Sequence, residues 1–226
     1  MSFAGFPRET LTFLEGIAAA NSKEWFTANR PLWDATVAAA RAFVDEVGPS
    51  LRVISPGVNF DSKIGGSLPR ANRDTRVAHD KPYRNTFDLW FWHGDKKGWE
   101  QPGFFLRITA QGVWIASGMM HILYPVLPRY RDAVVAEASG ERLASVVAAI
   151  DALGRYEVGY PSRKSVPKGY DKDHARAAYL LQESLWGHLA LPAEAVLDPN
   201  FADVAVAAWR DLWPLSRWLL EDVTAR

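Results

Sequence analysis

Two stretches decide the fold class of this chain: TFDLWFWHG at residues 86–94 and GFFLRITAQGVWIASG at residues 103–118. In the first, Phe87, Leu89 and Phe91 alternate with Asp88, Trp90 and Trp92. A two-residue period with large side chains on both faces is the pattern of a strand covered on two sides. The second breaks at Ala110-Gln111-Gly112, where glycine permits the positive φ that a tight hairpin needs. Together they predict three antiparallel strands, near 86–93, 103–110 and 113–118. A short further strand is expected near Val58–Ser62.

Outward from this sheet the period changes to that of helices. Before it, Leu11, Leu14, Ile17 and Ala18 recur at helical spacing after Pro7, and Asn21 or Ser22 can cap a short helix carrying Trp25 and Phe26. Pro31 opens a longer helix with a stripe of Leu32, Ala35, Ala39, Phe43 and Val47, expected to end near Gly48-Pro49 or shortly after Leu51. After the sheet, residues 127–139 and 140–154 read as two helices, with Ser139 as a cap and Gly154 as a stop. A loop at 161–174 leads into a helix over roughly 173–184. The last helix starts near Asn200 and turns Val204, Ala208, Leu212, Leu215 and Leu219 inward, with Pro214 kinking or breaking it. The expectation is a single α+β domain over residues 1–226: a central antiparallel sheet packed by N-terminal and C-terminal helices.

Composition excludes several function classes. The 226 residues carry 26 Lys+Arg and 26 Asp+Glu, so bulk charge argues against a protein that coats nucleic acid. With no cysteine, a disulfide scaffold, a thiol nucleophile and Cys-ligated zinc are all ruled out. The first residues lack a basic segment followed by an apolar run, and no stretch reaches the roughly 18 apolar residues of a membrane span. The expectation is a soluble, cytoplasmic protein without membrane association. Most of the ten tryptophans are expected in the core.

Against this neutral background, residues 69–84, PRANRDTRVAHDKPYR, gather Arg70, Arg73, Arg76, Lys81 and Arg84 around Asp74 and Asp80. Guanidinium is a planar fork that grips carboxylate or phosphate at two points and keeps its charge. In a helical turn Arg70, Arg73 and Asp74 would share a face, and Pro82 requires any such turn to end by Lys81. Tyr83 adds a hydroxyl donor and His79 a group that titrates near neutrality. Two readings stand: a site for an anion, or a salt-bridge network that fixes a difficult loop.

The order Arg70, Arg73, Asp74, Arg76, then Asp80, Lys81, Pro82 and Tyr83, resembles the motif of the family called domain of unknown function 2461 (DUF2461). Landmarks across nearly the whole chain agree: Gly5 and Phe6 with Phe13 and Leu14, Asn21 with Trp25 and Phe26, and Pro167, Lys168, Gly169, Tyr170 and Asp171 with His174. There are two departures. Val77 stands where the family usually has Phe, and the step from Lys81 to Tyr83 is slightly shorter than usual. The resemblance implies an α+β domain with a motif of functional character, and no assigned reaction.

The loop SRKSVPKGYDKDH at 162–174 is the second candidate, with Lys168, Tyr170 and His174 as ligand-binding residues; folded over the arginine cluster it would form a second wall. A solvated polar loop explains the same residues. The five histidines show no HExxH pairing, and the Asp171–His174 cluster is too weak to assign a metal. No phosphate loop, no GxGxxG and no GxSxG nucleophile elbow is present, so no cofactor is named. Trp90, Trp92, Trp99 and Trp114 read as core before they read as a platform for a sugar or base. The leading expectation is an anionic small molecule, phosphate- or carboxylate-bearing, held by Arg70, Arg73 and Arg76. In a catalytic form Asp74 or Asp80 is the base, while Lys81 and Tyr83 polarise the reacting group. The runner-up is a non-enzymatic protein-interaction module with a structural Arg–Asp network. Oligomeric state is not read.

Overall fold

The computed structural model describes residues 3–74, 81–94 and 101–225. It has the expected α+β architecture. Helices α1 (Arg8–Ala19), α2 (Lys23–Ala28) and α3 (Arg30–Ile54) precede strands β1 (Phe87–Trp92), β2 (Gly103–Ile108) and β3 (Val113–Met119). Then come α4 (Val126–Val135), α5 (Glu137–Asp151), β4 (Glu157–Val158), α6 (Ala177–Leu180), β5 (Leu185–Leu191) and α7 (Phe201–Trp218). The strands form one five-stranded antiparallel sheet in the order β1-β2-β3-β5-β4. One face of β1 (Phe87, Leu89, Phe91) is buried and the other half-buried, as its alternation predicts.

This one α+β domain divides along the chain into two compact units. The first comprises residues 1–91, 105–115 and 190–207. Its core is aromatic: Phe3, Phe6, Phe43 and Phe201 pack with centroids 5.1–6.3 Å apart, and Phe13, Trp25, Phe26, Trp33 and Phe87 form a second group. Gly5 holds a positive φ of 91° where an added Cβ would stand 2.5 Å from the Leu197 carbonyl, so only glycine fits. The second unit comprises residues 92–104, 116–189 and 208–226. Trp209 is fully buried there and donates its indole N–H to the Ala116 carbonyl at 3.1 Å, while Ser117 and Ser216 pair their hydroxyls at 2.6 Å.

Several expectations are corrected. Residues 58–62 form no strand. Instead, Asp61 N–H donates to Ser67 Oγ (3.1 Å) and Ser67 N–H to the Asp61 carbonyl (2.7 Å), closing a turn through Gly65 and Gly66. The buried apolar stripe of α3 is Trp33, Val37, Ala40, Phe43, Val44, Val47 and Leu51: Phe43 and Val47 lie in it as expected, while Leu32, Ala35 and Ala39 are half-buried, and the helix runs through Pro49 to end at Ile54, shortly after Leu51 as expected. Ala18 and Val204 are exposed, and Ser139 lies inside α5 with its hydroxyl on the Ala133 carbonyl. Helix α7 runs through Pro214 and continues as a wider, π-type turn over Leu219–Thr224.

The expected helix over 173–184 shrinks to α6. Side chains capture the backbone groups a helix would use: Asp171 Oδ1 accepts from Asp173 N–H (2.9 Å) and His174 Nδ1 from Arg176 N–H (3.1 Å). The Leu181 carbonyl is taken by Ser162 N–H and Arg163 N–H. The chain then enters β5, which the sequence reading did not anticipate.

Candidate functional site

In the first unit the described parts of the motif, residues 69–74 and 81–84, run as two arms paired with each other, called the arch below. Asn72 bridges Tyr83 in antiparallel fashion, Arg73 N–H donates to the Pro82 carbonyl (2.8 Å) and Arg84 N–H to the Ala71 carbonyl (2.9 Å). This corrects the helical turn expected through Arg70, Arg73 and Asp74. The Arg73 N–H and the Ala71 carbonyl are satisfied across the arch rather than within a helical turn, so residues 71–73 are extended and the side chains on either side do not share a helical face.

Side chains from the N-terminal helices tie down the base of the arch. Asn21 Nδ2 donates to the Tyr83 carbonyl and Asn21 Oδ1 accepts from Tyr83 N–H, both at 2.9 Å. The Tyr83 ring is 8% exposed and stacks on Phe26 at 4.3 Å with 7° between planes. Ser22 caps α2 by accepting from Trp25 N–H (3.1 Å), which fixes Phe26 under Tyr83. Three of the family landmarks, Asn21, Phe26 and Tyr83, therefore meet at one point.

Arg70, Arg73, Asp74, Lys81 and Arg84 are all exposed. Arg70, Arg73, Lys81 and Arg84 form no salt bridge with another described residue. Arg76, Asp80 and His79 lie outside the described residues. Just past the arch, Arg107 grips Asp88 at two points, 2.8 and 3.0 Å, and that carboxylate holds the guanidinium pKa above its usual value. Trp90 stacks on Phe105 at 5.0 Å, and Trp114 is 40% exposed. Trp99 lies outside the described residues.

In the second unit the loop at 161–183 is fastened by side chains. Tyr170 donates its hydroxyl to Asp132 Oδ1 (2.8 Å); burial, then this bond, push the phenol pKa up. Lys168 is exposed beside Gly169, and His174 turns Nδ1 back onto the Arg176 backbone. Arg176 donates to the carbonyls of Val134 (2.8 Å), Val135 and Ala136 (both 3.2 Å), covering the end of α4. Glu183 receives Arg163 at 2.9 Å and Arg131 at 3.2 Å. Sequence reasoning missed Arg131, Asp132, Arg176 and Glu183; only the Arg131-Asp132 pair on an Ala- and Val-rich helix hinted at them.

A further polar group lies on β4 and β5. Tyr160 donates its hydroxyl to Glu157 Oε2 (3.1 Å) and meets His188 Nδ1 at 2.9 Å. With the phenol proton on Glu157, His188 Nδ1 carries the hydrogen and donates to Tyr160. Burial lowers the His188 pKa, against the opposing pull of Glu157, and raises that of Tyr160 to about 12. No group of three or more acidic or histidine side chains suited to a metal ion occurs among the described residues, and no described helix is long and apolar enough to cross a membrane.

Compared with known families, residues 9–218 match the model of a conserved hypothetical protein family, DUF2461. No curated protein matches the chain. The matched region takes in the arch, its anchor and the loop at 161–183, and the chain belongs to the DUF2461 family.

Proposed function

We propose that the arch at residues 69–84 binds an anionic small molecule, a phosphate or carboxylate held by Arg70, Arg73 and Arg76. One observation carries this reading. The described arms of the arch, residues 69–74 and 81–84, are held by backbone bonds, the Asn21 amide and the Phe26 stack, so Arg70, Arg73, Lys81 and Arg84 are not needed to hold them. Four exposed cations without an ion pair to a described residue are a like-charged cluster, which an anion relieves. In a catalytic form of this reading, Asp74 or Asp80 is the base and Lys81 polarises the reacting group. Tyr83, with its ring against Phe26, holds the arch in register. The absence of cysteine fits a protein at work in a reducing cytosol.

The test is a melting series with inorganic phosphate, pyrophosphate and citrate on the wild-type chain and on Arg70→Gln, Arg73→Gln and Asp74→Ala. A ligand at 100 times its Kd adds about 2.7 kcal/mol, or roughly 5–10 °C at this chain length. The arginine variants should lose that shift while melting within about 2 °C of wild type when unliganded. If all three variants melt more than about 10 °C lower and no anion shifts the wild type, the cluster is a structural network and the proposal fails.

A further inference from the structure

The two guanidiniums on Glu183 are poorly served by it. Arg131 and Arg163 both contact the same oxygen, Oε1, at 3.2 and 2.9 Å. A guanidinium fork is built to engage two oxygens, and one carboxylate oxygen shared between two forks leaves both half used. Arg131 feels this most. Its side chain is only 14% exposed, and its Nε is buried with no acceptor among the described residues. A buried donor without an acceptor is costly, so the position is one that a larger oxyanion would improve.

The third partner can leave. Glu183 is held by its backbone, with N–H donated to Ser162 Oγ (3.0 Å) and the carbonyl accepting from Ile122 N–H (2.8 Å). Its carboxylate is 38% exposed, and Arg163 is 41% exposed. Turning the side chain out costs no backbone bond. It leaves two adjacent guanidiniums, while Arg176 close by in sequence spends its donors on carbonyls alone. Asp132 is occupied by the Tyr170 hydroxyl.

We infer that the second unit carries an oxyanion site in which Arg131 and Arg163 hold a phosphate-type dianion and Glu183 is its built-in competitor. Two cations match two negative charges, and three or more oxygens let each fork engage two of them. The site shares no residue with the arch, so it stands or falls separately.

The experiment titrates the full chain with inorganic phosphate at fixed ionic strength and about pH 7.5, where the dianion predominates. Glu183→Gln removes the competing charge and should bind phosphate about 3- to 10-fold more tightly, the worth of two partly exposed ion pairs. Adding Arg163→Gln, a partly exposed position that leaves the core intact, should abolish the gain. Arg70→Gln with Arg73→Gln should leave the gain unchanged. A parallel titration with phenyl phosphate separates sources: comparable binding assigns a monoester, and binding of inorganic phosphate alone assigns the free anion. The inference is overturned if Glu183→Gln binds no tighter than wild type, if Arg163→Gln keeps the gain, or if the arch substitutions remove it.

Discussion

The arch at residues 69–84 and the loop at residues 161–183 draw on the same chemistry, arginine, lysine, aspartate and tyrosine, and hold themselves together in opposite ways. The described arms of the arch rely on backbone pairing, one asparagine amide and one aromatic stack, with Arg70, Arg73, Lys81 and Arg84 exposed. The loop relies on charged and phenolic side chains: Arg176 on three carbonyls, Tyr170 on Asp132, and Arg131 and Arg163 on Glu183. Where the main chain fixes a loop, exposed cations such as Arg70 and Arg73 need no ion pair to hold it. Where charges do the fixing, the loop supplies its own counter-ion, and a ligand must displace it.

The sharpest way to break this contrast is Asn21→Ala. It removes both bonds to the Tyr83 backbone and should cost about 2–3 kcal/mol, a melting loss of roughly 4–12 °C. Arg73→Gln, on the same arch, should stay within about 0.5 kcal/mol. Equal effects of the two in thermal unfolding would show that the arch is not held by its backbone anchor. Next in size is Arg176→Gln in the loop, which leaves carbonyls at the end of α4 without a donor and should cost about 1–3 kcal/mol. Amide exchange at Glu137–Gly140 should quicken in that variant, and an unchanged rate would remove the charged-clamp account of the loop.

Acid should act on the second unit. His93 and His188 both lie there, and burial lowers the pKa of each, outweighing the Pro102 carbonyl at His93 and Glu157 at His188. The unfolded chain takes up protons near the ordinary histidine value of 6.5, whereas the folded chain resists until the pH is lower. Their neutral burial therefore gives full stability above about pH 7.5, with progressive loss as the pH falls through 6.5 toward the folded values. Urea unfolding at about pH 7.5 and about pH 5.5 checks this, and His188→Gln should reduce the difference. The smallest effect belongs to Tyr83→Phe. The hydroxyl has no hydrogen bond to a described residue, so stability should change by less than about 0.5 kcal/mol. A variant that melts normally but differs from wild type in the anion-induced melting shift of the proposed test would give the hydroxyl a role beyond stacking.

Much of the fold was legible because it rests on local pattern. The alternation at 87–92 and the glycine hairpin at 112 placed three strands within two residues of their ends. Strand β5 was not legible. Gly187 interrupts its apolar run, and its reason is tertiary: an added Cβ would stand 2.9 Å from Leu212 Cδ2. At the candidate site the opposite happened. The position of the motif was plain from its arginines, but its conformation depends on residues 71–73 finding residues 82–84, which side-chain spacing does not encode. Asn21 and Phe26 could be seen as landmarks and not as anchors. Arg131 reads as a solvated helix residue until Glu183 is seen to reach it.

The Asn21–Tyr83 clasp also sets an order of events. It joins positions 62 residues apart, and closing a loop of that length costs about 3.7 kcal/mol in chain entropy beyond a constant. That entropy is spent before the motif takes its final shape, so the arch should belong to the slow, non-local part of folding. During synthesis the first helices leave the ribosome long before their partner exists. The arch is therefore a late checkpoint. A chain shortened by its first 28 residues would keep every arginine of the motif and lose the fixed frame that presents them.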